Sequence, residues 1–530
     1  MGLIKPTLPP YDPIAWSRLP FGERARMVCE SWAVQGYGSP HGAYLIYALK
    51  VVFYIYMWRI FTGPVAWLSP VAFEKAIIWS MLFEGLGLGC GSGPLTGRYF
   101  PPFGGFLYWL RPGTTKLSLV GGKTRTLFDV ALYLALIAFS LRALIAPAIT
   151  FEMLLPIALL VPLIGIFDKT IFLALRAEHY WTTIICFTFA SDWIAGAKSV
   201  QLALWFFAGF SKLNHHFPSV VGVMISNSPL VRFAWFRRSM YKSYPADLRP
   251  SSMAVLMGHA GTALEMAVPI MMFFAKPGVS LVVGMVMVLA LHAFITSTVP
   301  MGVPIEWNFM VVYGAFALFW SHPEVSPLAI TPWPLALFLA CMLLAIPIAG
   351  NLFPSRISFL LAMRYYAGNW AYSVWLFKGE SYRKLEKLKT SAAWVYDQLD
   401  RFYDKPTGIA LVGKVMGFRL MHLHGRALSV LLPKAVERLE DYEYLDGEIV
   451  AGLVLGWNFG DGHLHNEKLL RAIQAQCGFE PGELRCIFVE SQPLGQNGMD
   501  YRIADAASGE ITRGTVSVPE LRARQPWAIA

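Results

Sequence analysis

Through the first two-thirds of the chain the apolar positions come in long, nearly unbroken runs, and the charged positions fall in the gaps between them. A helix needs roughly 17 to 25 apolar residues to cross a bilayer. On that length the pattern predicts about ten spans, near 43–61, 75–91, 126–148, 152–175, 179–195, 197–213, 253–275, 278–300, 305–321 and 332–350. Short links such as Lys276-Pro277 and Val303-Pro304 predict tight antiparallel hairpins. From about residue 354 the pattern changes, through an amphipathic connector over 354–400, to an ordinary soluble mixture over 401–530. There it predicts helices near 380–401 and 466–477 and strands near 447–458, 483–490, 499–505 and 510–517. The expected fold class is an all-α polytopic membrane protein of about eight to ten transmembrane helices (43–353), preceded by a cytoplasmic amphipathic segment (1–42) and followed by a small soluble α+β domain.

The gaps carry an orientation signal, because Lys and Arg collect on the cytoplasmic side of a membrane protein. Lys5, Arg18, Arg24 and Arg26 precede the first run; Arg98, Arg111, Lys116, Lys123 and Arg125 follow the second; Arg232, Arg237, Arg238, Lys242 and Arg249 follow the sixth. The opposite gaps, 62–74, 149–151 and 322–331, hold no Lys or Arg, with Lys276 the exception on that side. Both termini are therefore expected in the cytoplasm, with the chain multi-pass in the plasma (inner) membrane. Two gaps are more than connectors. Residues 85–114 are crowded with Gly, Pro and aromatics, which favours a re-entrant or interfacial structure; a phosphate cradle needs GxxxxGK[ST] after a strand, which this segment lacks. Residues 214–252 mix Phe217, Phe233, Trp235 and Phe236 with five basic residues, as an amphipathic helix at headgroup level does.

Composition agrees with this picture. At 55% hydrophobic and 15% charged residues, the chain has more apolar surface than one soluble core can hide. The net charge of +10 is spread over the inter-run gaps, so it reads as an orientation and anionic-lipid signal and not as a nucleic-acid footprint. Cys29, Cys90, Cys186, Cys341, Cys477 and Cys486 show no paired spacing, which argues against a disulfide framework or a zinc site. No apolar run follows the first charges, so no cleavable signal peptide is expected.

Ionisable residues inside apolar runs are the first place to look for chemistry, since a charge in hydrocarbon is costly unless paired. Lys212 ends LALWFFAGFSKLNHHF, His179 opens the fifth run, His259 and Glu265 lie in MGHAGTALEMAVPIMM, and His292 lies in VLALHAFITSTVP. Taken singly, a Lys or His near a helix end more often snorkels to the interface. His259 and Glu265 are six positions apart, so they do not share a helix face, and Glu265 is expected to pair across helices with a Lys or His. Together, a buried Lys acting as base and a nearby His point to proton abstraction beside a lipid-accessible pocket.

The run WFFAGFSKLNHHFPSVVG resembles the signature of the transmembrane (HTTM-type) domain shared by vitamin K-dependent gamma-glutamyl carboxylases and their bacterial relatives. EHYWTTIICFTFASDW is loosely similar to that family's Asn-His helix, with Glu178 where the pattern has Asn; GHAGTALEMAVPIMMF and LHAFITSTVPMGVPIEWNFMVV are similar to its Glu-bearing and His-bearing spans. The order agrees over roughly 170–325. The resemblance implies that Lys212 deprotonates a reduced quinone, menaquinone or vitamin K-like, that His179 stabilises the resulting charge, and that His259, Glu265, His292, Asp192 and Trp307 shape the pocket. The whole chain, including HLHGRALSVLLPKA and GWNFGDGHLHNEKLL, also resembles a bacterial membrane-protein family known only as a domain of unknown function.

Two His-Leu-His tripeptides, His422/His424 and His463/His465, lie in the C-terminal part. On a strand each pair would offer two imidazoles to one metal; surface or capping histidines are the plainer reading, and no metal is the primary expectation. Three functions follow: a carboxylase-like membrane enzyme acting on a quinone or another lipid-soluble substrate; a non-catalytic scaffold or lipid-handling subunit that binds protein partners through its C-terminal domain; and, least favoured, a transporter, for which no Gly/Pro-broken spans repeat between the halves. Membrane lipids are the expected partners, and nucleic acid is not.

Overall fold

The computed structural model describes residues 3–89, 104–189, 191–297 and 305–527. An amphipathic helix α1 (Phe21–Gln35) leads into the membrane-type helices: α2 (His41–Thr62), α3 (Pro70–Gly85), α4 (Leu127–Ile145), α5 (Phe151–Phe167), α6 (Tyr180–Phe187), α7 (Trp193–Phe210), α8 (Phe217–Asn227), α9 (Ser252–Phe274), α10 (Val279–Thr296), α11 (Ile305–Trp320) and α12 (Trp333–Leu352). Side-chain caps set several of these starts. Thr126 and Asp129 form a reciprocal capping box at α4, and Ser251 accepts from Ala254 N (3.2 Å) at α9.

Among the described residues five of these helices, α2, α4, α9, α10 and α12, are long and apolar enough to cross a membrane, against the eight to ten expected. The remaining apolar runs are shorter or interrupted or, in the 18-residue α7, carry the buried polar side chains of Lys198 and Gln201. The run expected over 152–175 is cut at Asp168, whose carboxylate caps Thr170 N (3.0 Å), and the run expected over 179–195 shrinks to α6. The reason lies in position. The five long helices bury a third or less of their most apolar stretch, whereas α3 is buried along nearly its whole length. Apolar composition marks both classes alike, but only the outer class has to match the bilayer in length.

Consecutive long helices joined by short links pack on each other and alternate in direction: α2 with α3, α4 with α5, α9 with α10. The starts of α2, α4, α9 and α11 and the ends of α3, α7, α10 and α12 therefore share one side, called proximal below.

The C-terminal part sits on that side. A five-stranded antiparallel sheet has the order β4-β3-β5-β6-β7, after a small hairpin β1 (Tyr241–Ser243) and β2 (Asp247–Pro250). Its strands are β3 (Tyr372–Lys378), β4 (Tyr442–Asp446), β5 (Leu484–Val489), β6 (Gly498–Asp505) and β7 (Gly509–Ser517). Helices α13 (Lys405–Met421), α14 (Leu428–Ala435), α15 (Gly447–Leu455) and α16 (Glu467–Cys477) surround it. This α+β unit is seated on the membrane helices: α13 packs on α1, Trp109 Nε1 donates to Leu455 O (2.9 Å), and Tyr108 donates its hydroxyl to Val454 O.

Four expectations change here. The stretch 447–458 is helix α15 and not a strand; Asp446 caps its start and Gly456, in the left-handed region at φ 78°, ends it. The helix expected over 380–401 is only a 3-10 turn (Ser381–Lys387) and one short helix (Val395–Leu399). The connector contains β3, which is flanked on both edges and buried on both faces, so no alternation marked it. Of the glycine-rich segment 85–114, residues 90–103 lie outside the described residues. In 214–252, the segment expected to be one amphipathic helix forms α8, a short helix (Ala234–Ser239) and the hairpin, with Phe233 and Trp235 largely exposed.

Candidate functional site

Helix α7 ends at Phe210, and the next turn is fixed by Asn214, whose Oδ1 accepts from His216 N (2.7 Å) and Phe217 N (3.0 Å) to start α8. Lys212 is held at this joint, and its ammonium forms an ion pair with Glu265 of α9 and lies 5.6 Å from the Phe217 ring centroid. Close approach of the two helices is required for the pair. Gly209 supplies it, because a Cβ there would stand 3.0–3.1 Å from Met266.

Next to the pair, His292 of α10 is locked between two partners. The Trp205 indole N–H can only donate, and it donates to His292 Nε2 (3.0 Å), so Nδ1 carries the proton and donates to Asn308 Oδ1 (2.8 Å). Trp307, in turn, donates Nε1–H to His179 Nδ1 (3.1 Å). The expected set is thus partly assembled: Lys212, Glu265, His292 and Trp307 all line one cavity of about 710 Å³, while His179 stands one layer behind Trp307, stacked on Tyr180 at 4.6 Å.

The cation that borders the cavity on this side is Arg176, while His179 does not line it. Arg176 is fully buried with φ 51°, its Nε is 3.1 Å from Glu178 Oε1, and the Tyr365 hydroxyl donates to the same oxygen (3.0 Å). Its guanidinium lies over Trp307, Tyr365 and Phe459, at 5.6, 5.4 and 5.2 Å from their centroids. The position where the resemblance expects Asn holds Glu178, and its carboxylate anchors this guanidinium.

Beyond Arg176 the cavity continues to a second polar end in the C-terminal unit. Arg419 Nε donates to Asp446 Oδ2 (2.8 Å), NH2 donates to Glu448 Oε1 (3.1 Å), and NH1 to His424 Nε2 (3.1 Å). Arg364 donates to Asn369 O (2.6 Å) and Gly350 O (3.3 Å), and burial pushes it down to about 10. Burial also raises the Glu448 carboxyl.

A family model for transmembrane proteins of unknown function, DUF3556, matches residues 1–530. The chain belongs to this family. No curated protein and no solved structure matches it, and none of these comparisons links it to the gamma-glutamyl carboxylases. Membership agrees with the five helices long and apolar enough to cross a membrane, and this DUF3556 chain is an integral membrane protein.

Other expected residues of the DUF3556 chain lie apart from the cavity. His259 is exposed on the outward face of α9. Asp192 precedes α7, about 27 Å along that helix from Lys212, and its carboxylate accepts from Thr331 N (2.7 Å) and Oγ1 (2.6 Å), pinning a loop on the far side. Nor do the four C-terminal histidines converge. His422 donates to Phe418 O (2.7 Å) and His424 to Gly368 O (2.8 Å), while His465 meets Ser373 Oγ (2.7 Å) and His463 meets Glu490 (3.4 Å). Among the described residues no group of three or more His, Cys, Asp or Glu is placed to hold a metal. The wall residues Arg176, Trp205, Asn308, Arg364 and Arg419 were not expected. An arginine next to an apolar run, as in LALRAEHYW, was the available signal for the first.

Proposed function

We propose that the cavity binds a lipid-soluble ring compound bearing a hydroxyl, of the hydroquinone class, and that the Lys212–Glu265 pair exchanges a proton with it. The observation that supports this reading is a largely buried acid–base pair set in the wall of a largely apolar cavity, beside two tryptophans and an arginine. The cavity lies within the roughly 300–1,000 Å³ typical of ligand sites. A reduced quinone fits these residues: the rings of Trp205, Trp307, Phe217 and Tyr365 suit a flat aromatic body, and the pair suits its hydroxyl. When bound, it supplies an ionisable hydroxyl and two reducing electrons, for which dissolved dioxygen is the acceptor, giving the quinone and hydrogen peroxide. Glu265 receives the proton at a carboxylate oxygen, and the Lys212 ammonium faces the charge left behind. His292 contributes shape and a fixed neutral edge, since both of its ring nitrogens are engaged. Arg176 supplies a fixed positive charge without having to move, because Glu178 and three rings hold it.

The same cavity supports lipid handling without turnover, and one experiment separates the two. Purified protein in vesicles is given reduced decylubiquinone while oxygen consumption and probe binding are both measured. Under the enzymatic reading Lys212→Ala and Glu265→Gln abolish quinone-dependent oxygen consumption while the fold, read by thermal melting, persists. Binding with no consumption in the wild type leaves lipid handling; no binding rejects both.

We also place both termini and the C-terminal unit on the cytoplasmic face of the plasma membrane. The proximal side carries most of the Lys and Arg outside the helices. Single cysteines at exposed Ser508 and Gly278 should be labelled by a membrane-impermeant thiol reagent from opposite faces, and labelling from one face rejects the assignment.

A further inference from the structure

Most of the cavity wall is buried, but at one end its lining is also outer surface. Leu3, Ile4, Ile46 and Phe294 line the cavity and are 64, 59, 42 and 44% exposed. Ile46 belongs to α2 and Phe294 to α10, both long and apolar enough to cross a membrane, and both at their proximal ends. Apolar side chains exposed on such helices face lipid, so here the lining of the cavity and the lipid-facing surface are one continuous apolar sheet.

We infer that the cavity opens sideways into the proximal leaflet, between the start of α2 and the end of α10, and that what enters there is the hydrocarbon or isoprenoid tail of a single-chain amphiphile. This deepens the reading above, on which it rests for the ligand's head, by assigning the source of the substrate to the bilayer and not to water. A tail sliding along this wall never crosses an aqueous phase, so no apolar surface is wetted on the way.

Two details of the opening fit a tail. On the inner side stands Gly261, one helical turn before Glu265 on the same face of α9, and a Cβ at Gly261 would meet nothing within 4 Å. The channel from the mouth to the Lys212–Glu265 pair is therefore left clear by a missing side chain. On the outer side the segment 3–7 forms the threshold, and three of its carbonyls are occupied: Leu3 O accepts from Gly42 N (2.8 Å), Ile4 O from the Tyr403 hydroxyl (3.0 Å) and Thr7 O from Lys414 Nζ (2.6 Å). With the Leu3 and Ile4 carbonyls occupied, these two residues present their apolar side chains to a passing chain.

The test is photolabelling of the full chain in phosphatidylcholine–phosphatidylglycerol vesicles, with adducts mapped by mass spectrometry. One probe is a diazirine-bearing hexadecanol that partitions into the bilayer; the other is a short, water-soluble diazirine alcohol. The hexadecanol probe should label the cavity-wall segments 204–212 and 291–295, and the water-soluble probe should not. Gly261→Phe, whose Cβ has open space and whose ring extends into the channel, should lower hexadecanol labelling of 204–212 about tenfold and leave labelling of the outer face of α4 unchanged. Equal labelling of the cavity by both probes, or cavity labelling indifferent to Gly261→Phe, overturns the inference. The readout involves no proton transfer, so it fails separately from the acid–base reading, which the oxygen-consumption assay decides.

Discussion

His179 acts on the cavity through Trp307. It accepts the Trp307 indole N–H, so His179→Ala leaves a buried donor unpaired, at a cost of about 1–3 kcal/mol. The expected result is a lower melting temperature together with weaker probe binding, with much of both restored in His179→Gln, whose amide oxygen can accept the same bond. Equal loss in both variants would show that the imidazole matters for more than that bond. Lys212, Glu265, His292 and Trp307 were legible as a group because ionisable and indole side chains within apolar runs are few, and each must find a partner inside. Arg176 was not legible in the same way. Its place in the wall depends on a residue other than glycine adopting φ 51° between α5 and α6, a choice made by the packing around it and costing on the order of 1–3 kcal/mol. His259 shows the converse: the same residue type, in a run of the same character, points outward because it falls on the other face of α9.

At the scale of elements, contact between helices hangs on small residues. Gly209→Val would put side-chain atoms where Met266 packs, push α7 from α9 and stretch the Lys212–Glu265 pair. Weaker probe binding with nearly unchanged helix content by circular dichroism is the expected outcome, and unaltered binding would show that the interface yields without cost. Gly456→Ala tests the seat of the C-terminal unit. The position is at φ 78°, and a Cβ there would stand 2.5 Å from Tyr108, so the substitution should destabilise the protein by at least about 1–2 kcal/mol and speed proteolysis after residue 353. Protease resistance equal to the wild type would count against this contact as the anchor. The misread element α15 lies in the same region. Its run IVAGLVL is buried all round, and an apolar run without periodicity does not distinguish helix from strand; the capping Asp446 and terminal Gly456 were the signals that favoured helix.

For the molecule as a whole, the C-terminal unit makes stability depend on pH. Burial pushes His422 down to about 3 and His465 to about 4, and both are fully buried. In the unfolded chain a histidine takes up its proton near 6.5, roughly the ordinary value. Between 6.5 and these lowered values the unfolded state binds more protons, so stability is fully present above about pH 6.5 and falls as the pH falls, by about 1.4 kcal/mol per pH unit for each such histidine. Melting temperatures between about pH 7.5 and pH 5 should drop accordingly, and less in the double variant His422→Asn, His465→Asn; an identical drop would assign the acid sensitivity elsewhere. What the amino-acid sequence determined alone was membrane character, the helical class of the first two-thirds, the strands near 484–517 and a short set of polar residues with reason to meet. Those are consequences of composition and local periodicity, which each segment carries by itself. Tertiary structure decided which apolar helices face lipid and which lie inside, which of the polar residues share a wall, and that the C-terminal unit closes the far end of the same cavity. Each depends on what a segment packs against, and a helix buried in protein and a helix buried in lipid are written in the same apolar residues.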